Sequence, residues 1–267
     1  MRKTSCYYWP LLLLLLQACA TTPQNIDTAN PRQLSTINQK NWQRSKNTPK
    51  VSVMRAEMLQ DTAMGLGAQA GLSWASGKIN KQLNKDSSKL SAIFNFNAML
   101  LSHGVIPPVL TAGDGNLNLA DPNTVRIADK VYKIVKQAHF VTTVPHWREY
   151  LWLNYAKPTL PDHSLLPRNS EEQKIWAQAI KIGWNKGIQQ AFNIFQQNLA
   201  RLKRDYQGMI LYRKLLQYHM INPPFVSRTE LGITGDGSDM RINDQVLRIT
   251  DLPQLKINSD KWHAIIK

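Results

Sequence analysis

The chain has 267 residues, with 33 Lys and Arg against 18 Asp and Glu, a formal net charge of +15. Only two cysteines are present, Cys6 and Cys19, which excludes a disulfide framework. The basic balance favours anionic partners: lipid headgroups, cell-wall carboxylates, an acidic protein or nucleic acid.

The first element is an export signal. Arg2 and Lys3 form a positive start, and an apolar stretch from Tyr7 to Leu16 ends in six consecutive leucines. Leu16-Gln17-Ala18-Cys19 follows, the order of a lipobox, in which the cysteine accepts a diacylglycerol and the bond before it is cut. The stretch falls well short of the roughly 20 apolar residues of a membrane-spanning helix. Residues 1–18 are therefore expected to be removed and Cys19 lipidated. The mature chain then keeps no free thiol, and its net charge falls to +13 because Arg2 and Lys3 leave. Export argues against a direct nucleic-acid partner outside a DNA-transfer apparatus. Residues 19–50 after the anchor are polar, with only Ile26, Leu34, Ile37 and Trp42 as scattered apolar positions. They read as a flexible tether or as an arm packed on a partner.

The body repeats itself at an offset near 116 residues. Ala63, Gly67, Gly71 and Ala75 recur as Ala179, Gly183, Gly187 and Ala191. His103, Pro107 and Pro108 recur as His219, Pro223 and Pro224, and the run Arg126 to Ile134 recurs one residue closer, as Arg241 to Ile249. The expected fold is α+β and mainly helical, with two duplicated halves, 51–156 and 170–267, joined by a Pro-rich linker at 157–169. Each half is predicted to hold a helix pair: about 52–83 then 88–103, and about 170–200 then 203–219. Small residues at every fourth position line one face of each first helix and let a neighbour approach closely. Ser170-Glu-Glu-Gln173 reads as the capping box of the second copy. A Pro-Pro turn and a short hairpin end each half. Val125-Arg-Ile127 and Val131 to Ile134 are taken as arms around Ala128-Asp129-Lys130. Met240-Arg-Ile242 and Val246 to Ile249 are taken as arms around Asn243-Asp244-Gln245. Val125, Ile127, Val131, Ile242, Val246 and Ile249 are the candidate interface residues, because a strand edge can accept a partner strand. Hairpins that merely cover their own core are the other reading.

No catalytic constellation emerges. The five glutamates form no spaced pair, Glu171 and Glu172 suit the first turn of a helix, and no Gly-rich phosphate loop is present. His103 and His219 are assigned to helix C-termini, where an imidazole complements the dipole. The cluster Arg201, Lys203, Arg204, Arg213 and Lys214, interleaved with Tyr206 and Tyr212, has the cations and rings of a nucleic-acid surface but reads rather as a solvated helix face. Neither a metal nor a cofactor is expected.

Several runs resemble the DotC family: Leu59-Gln-Asp-Thr-Ala-Met-Gly-Leu-Gly-Ala-Gln-Ala-Gly71, Phe94-Asn-Phe-Asn97 with the later Pro107-Pro108, Phe140-Val-Thr-Thr-Val-Pro145, Trp147-Arg-Glu-Tyr-Leu-Trp152, Arg201-Leu-Lys-Arg-Asp-Tyr206, Pro223-Pro-Phe-Val226 and Arg241-Ile-Asn-Asp244. These are outer-membrane lipoproteins of type IVB (Dot/Icm) secretion systems, with conjugative-plasmid counterparts called TraI. The resemblance covers about residues 50 to 267. It implies a non-enzymatic part of an envelope-spanning core complex, working with a DotD-like lipoprotein to bring a DotH-like subunit to the outer membrane and standing there as copies in a ring. It maps one functional position, the lipidated Cys19. Ala20 after it fits sorting to the outer membrane. A second reading is a lipoprotein that binds or cuts peptidoglycan with its basic, aromatic surface.

Overall fold

The computed structural model describes residues 30–39, 51–121 and 124–262. The signal peptide, Cys19 and the flanking parts of the 19–50 segment lie outside the described residues. In chain order the elements are α1 (Pro31–Thr36), α2 (Val53–Lys85), α3 (Ser87–Ile93), β1 (Val105–Ile106), β2 (Val109–Asp121), β3 (Thr124–Lys136), β4 (His139–Phe140), α4 (Trp147–Leu151), α5 (Ser170–Gln217), β5 (Phe225–Gly235) and β6 (Met240–Asp251). The fold is α+β and mainly helical, and its sheets are three separate antiparallel pairs: β1 with β4, β2 with β3, and β5 with β6.

Two long helices carry the molecule. At 1.5 Å per residue α2 spans about 50 Å and α5 about 72 Å. Their small-residue rows meet. A Cβ added at Gly67 would stand 2.5 Å from the Ile180 carbonyl oxygen, and one at Gly71 would run into the Trp184 backbone. Reciprocally, a Cβ at Gly183 would strike Met64 and one at Gly187 would strike Ala68, in both cases at the carbonyl oxygen. Higher α2 numbers meet higher α5 numbers, so the helices run parallel. Ala63, Ala75, Ala179 and Ala191 extend the same seam and are buried. Leu59, Leu66, Trp176 and Ile180 fill the core beside it.

Parallel helices require the chain to travel back. The stretch after α4 does this in extended form along α2: Asn80 donates to the Leu153 carbonyl at 2.7 Å and accepts from its N–H at 3.1 Å. Ser73 donates to the Tyr155 carbonyl at 3.1 Å, and Arg55 donates to the carbonyls of Ser164 and Leu166 at 2.9 and 3.0 Å. From Asn80 to Arg55 the helix covers about 37 Å. The residues between Leu153 and Leu166 can span that only when nearly extended, a conformation Pro158 and Pro161 favour.

Four expectations are corrected. The second half has no helix pair: α5 is continuous from Ser170 to Gln217, because Ala200-Arg201-Leu202-Lys203-Arg204 consists of strong helix formers. The first half does break, at Asp86, but α3 stops at Ile93, and Phe96 and Met99 enter the core from a 3₁₀ turn. The cap of α5 is Asn169 rather than Ser170, with its side chain accepting the Glu172 N–H at 2.9 Å. Nor are the Pro pairs turns. Pro107 and Pro108 run straight from β1 into β2, and Pro223 and Pro224 run straight into β5, as expected where proline pushes its predecessor into extended backbone.

His103 and His219 both adopt left-handed backbone, at φ 62 and 58. His219 follows the last residues of α5, and its N–H donates to Leu216 at 3.0 Å while the Met220 N–H donates to Leu215 at 2.9 Å. This is a Schellman ending with histidine where glycine is usual. His103 instead sits in a 3₁₀ turn, well after α3.

Candidate functional site: a docked N-terminal segment and two hairpins

Part of the segment read as a tether is folded onto the body. Asn30 caps α1 by accepting the Arg32 N–H at 3.0 Å, and Pro31 occupies its first turn, a pairing that starts helices. Leu34 is wholly buried with Ile37 among the core residues of α2 and α5. The Trp176 indole N–H donates to the Leu34 carbonyl at 2.9 Å, and the Gln173 amide donates to Ser35. Gln39 donates through its backbone to Pro167 at 3.0 Å and through its side chain to His163 and Leu166 at 3.0 and 3.2 Å. Below this clasp, Arg55 pairs with the buried Glu172 at 3.2 Å, and Glu172 also accepts the Arg168 N–H at 2.9 Å. Glu172 thus serves as a buried ion-pair partner as well as a dipole complement. Only ten residues lie between Cys19 and Asn30, about 40 Å at full extension.

The first hairpin, β2–β3, is seated at the opposite pole of α5. Val109 and Leu110 are buried, and Gly208 of α5 lets them in: a Cβ there would stand 2.6 Å from both the Leu110 carbonyl oxygen and the Val109 side chain. Leu110 packs with Tyr212, Leu215 and Ile221, flanked by Tyr132 and Ile134. The buried Asp205 fixes the other strand, taking Lys136 of β3 in an ion pair, Nε and Nη2 of Arg204 at 3.0 and 2.9 Å and the Tyr150 hydroxyl at 3.2 Å. Burial alone would raise the Asp205 carboxyl, but the bonds from Lys136 and Arg204 outweigh it and hold it below the usual carboxylate range. Burial and the neighbouring Asp205 push the Tyr150 phenol up to about 12. Tyr212 is raised to about 12 by burial, and its hydroxyl has no hydrogen-bond partner.

The second hairpin, β5–β6, has no such seat. Among the described residues no helix packs along it as α5 packs on β2. Ile233, Met240 and Ile242 are 65–70% exposed. Ile233 pairs with Ile242 and Gly235 with Met240, so the three share one face near the turn. Asp236 and Asp239 lie in the turn between Ile233 and Met240, and Asp239 pairs with Arg241 at 3.0 Å. Hydrogen bonds from Ser238 and from the Asp239 N–H keep the Asp236 carboxyl below its usual range. Two shallow concavities lie on this hairpin, one at the turn between Ile233 and Met240 and one along Ser227, Thr229, Val246 and Arg248.

The expected hairpin arms are wrong in extent. Val125, Ile127 and Val131 all lie on β3, and Ile242, Val246 and Ile249 all lie on β6. Each predicted pair of arms is one strand, and the partner strands are 109–121 and 225–235. The supposed turn residues sit mid-strand opposite left-handed glycines: Asp114 pairs with Lys130 and Asn116 with Ala128 around Gly115 (φ 60), and Gly232 (φ 78) pairs with Asp244. Asn243 itself has φ 58 at a bulge, which is why it imitates a turn. Gly113-Asp-Gly115 is strand, while Gly235-Asp-Gly237 begins the second turn. Of the six candidate residues, Val125, Ile127, Ile242 and Val246 are exposed, whereas Val131 and Ile249 are half-buried.

Among the described residues no group of three His, Cys, Asp or Glu is placed to hold a metal, and no helix is long and apolar enough to cross a membrane. Of the basic cluster, Arg204 bonds Asp205 and Arg213 reaches the Ala98 carbonyl, while Lys203 and Lys214 face solvent. The fold and its surfaces define a rod of two parallel helices, clasped at one pole by its own N-terminal segment and bearing two hairpins at the other. Residues 53–264 match the family of the type IV secretory system, conjugal DNA-protein transfer (TraI), and the chain belongs to that family. It is a component related to type IV secretion and conjugation, with partners inside that apparatus. A comparison with curated proteins finds no match.

Proposed function

We propose that this chain is an outer-membrane lipoprotein, held through Cys19, that scaffolds the core complex of a type IVB secretion or conjugation machine. It works without a catalytic centre or cofactor. With a DotD-like lipoprotein it recruits a DotH-like subunit, and its own copies stand in a ring. The observation that carries the reading is the separation of the two poles. The α1 clasp meets α5 at Trp176, while the hairpins leave from near Leu215, about 60 Å further along the helix. A lipid on Cys19 therefore draws the clasped pole to the membrane and leaves the hairpins projecting into the periplasm. Acyl chains contribute about 0.8 kcal/mol per buried methylene, so a cysteine carrying more than one chain is stably attached.

Cys19→Ala tests the anchor. The variant is expected in the soluble or unprocessed fraction, with transfer abolished. A variant that still floats with outer membranes and supports full transfer overturns the reading, as does a wild-type chain that sediments with sacculi and co-purifies with no secretion subunit.

A further inference from the structure

The second hairpin stands out by charge as well as by exposure. Between Phe225 and Asp251 there are five acids and three arginines, in a chain whose net charge is +15. Helix α5 is its opposite. From Gln173 to Gln217 it carries eight Lys and Arg and one acid, and that acid, Asp205, is buried against Lys136 and Arg204. On the solvent side of α5, Lys203, Gln207, Ile210 and Lys214 are exposed and lie in one row at helical spacing. An apolar side chain between two lysines therefore matches an apolar tip on a hairpin that stays net acidic with Asp239 paired to Arg241 and Glu230 to Arg228.

We propose that the β5–β6 hairpin of one copy docks through Ile233, Met240 and Ile242 onto the Lys203–Gln207–Ile210–Lys214 row of α5 in a second copy. The inference rests on the scaffold reading above, in which copies stand side by side on one membrane. Both surfaces belong to the far pole: the hairpin leaves the chain just after Gln217, and the row lies within the last fifteen residues of α5. Copies anchored at the same pole thus present both surfaces at the far pole, and neither copy has to invert. An isolated two-stranded hairpin is marginal in water, so this one gains from an outside cover. Its strands are about 37 Å long and the ribbon is about 10 Å wide, so one face supplies about 400 Å², half of what one partner contributes to a standard interface. Each contact is weak by itself and depends on confinement to the membrane. The two surfaces differ, so the contact is heterologous and repeats from copy to copy.

Disulfide trapping in the full-length chain, expressed with its apparatus, tests this. Ile242→Cys and Ile210→Cys chains with different tags are co-expressed and the envelopes treated with a mild oxidant. Phe192→Cys lies on the same face of α5, about 27 Å nearer the clasped pole, and serves as the comparison. The expected result is a mixed dimer of Ile242→Cys with Ile210→Cys at least ten times more abundant than with Phe192→Cys. Lys203→Glu with Lys214→Glu on the helix should lower it about tenfold, and Asp239→Lys on the hairpin chain should restore it. Equal trapping at both helix positions, no mixed dimer, or an Ile242→Cys adduct with a different protein overturns the proposal. Membrane flotation and transfer are measured on the same cells. If both stay normal while trapping fails, the docking is wrong and the scaffold reading stands; if both are lost with the unsubstituted chain, the scaffold reading itself fails.

Discussion

The two hairpins are built alike and used differently. Each follows a left-handed histidine and a Pro pair, and each contains a left-handed glycine opposite an aspartate region mid-strand. The first is seated by a glycine and a carboxylate of α5, Gly208 and Asp205, which admit its backbone and hold its second strand. Among the described residues no α-helix follows Gln217 to offer the second hairpin an equivalent seat, and its apolar tip stays exposed. The same supersecondary unit is therefore core when a helix runs beneath it and surface when the helix has ended.

That contrast can be broken from the first hairpin's side. Gly208→Leu drives a side chain into the β2 backbone and should cost about 3 kcal/mol, at the upper end for overpacking; thermal melting reads it. Asp205→Asn removes the clamp on Lys136. Both cationic partners are nearly half exposed and recover water, so the expected loss is about 2 kcal/mol, below that of a fully buried pair. Because the folded carboxyl lies below its unfolded value of about 3.9, it binds a proton more weakly when folded. Its contribution is thus present above pH 4 and lost as pH falls through the folded pKa. Denaturant titrations at pH 7 and pH 3 should show the gap between wild type and variant closing at the lower pH. Tyr212→Phe deletes a buried hydroxyl without a partner and should raise stability by about 1 kcal/mol, measured by the same titration. On the second hairpin Ile242→Ser should change stability by less than about 0.5 kcal/mol, as at ordinary surface positions, while still impairing assembly.

What could be read in advance follows the same division. The rows Ala63–Ala75 and Ala179–Ala191 announce a close helix approach because only small residues at fourfold spacing permit one, and the structure brings the two rows together. The hairpins are hard to place from sequence because Ala128-Asp129-Lys130 and Asn243-Asp244-Gln245 have turn composition. Here those residues face left-handed glycines in the partner strand, and pairing across ten or more residues leaves no local trace. The copied pattern also misled: Asp86, Ser87 and Ser88 favour a break that α5 lacks. Leu34 and Ile37 looked like stray apolar residues, and only Asn30-Pro31 hinted at a six-residue helix whose stability comes from Trp176 and Gln173, far away in sequence. Asp205 carried one unused signal, as the only acid in a long basic stretch of helix.

Hydrogen exchange compares the hairpins most directly, read on the purified chain and on the assembled secretion complex. In the purified chain the amides of Val109 to Thr111 and Tyr132 to Lys136 should exchange at least a hundredfold more slowly than those of Ile233 and Met240 to Val246, because opening the seated hairpin must break core contacts. In the assembled complex the second group should become protected while the first barely changes. Equal protection of both hairpins in the purified chain, or a second hairpin that exchanges as fast in the complex as out of it, would contradict the account.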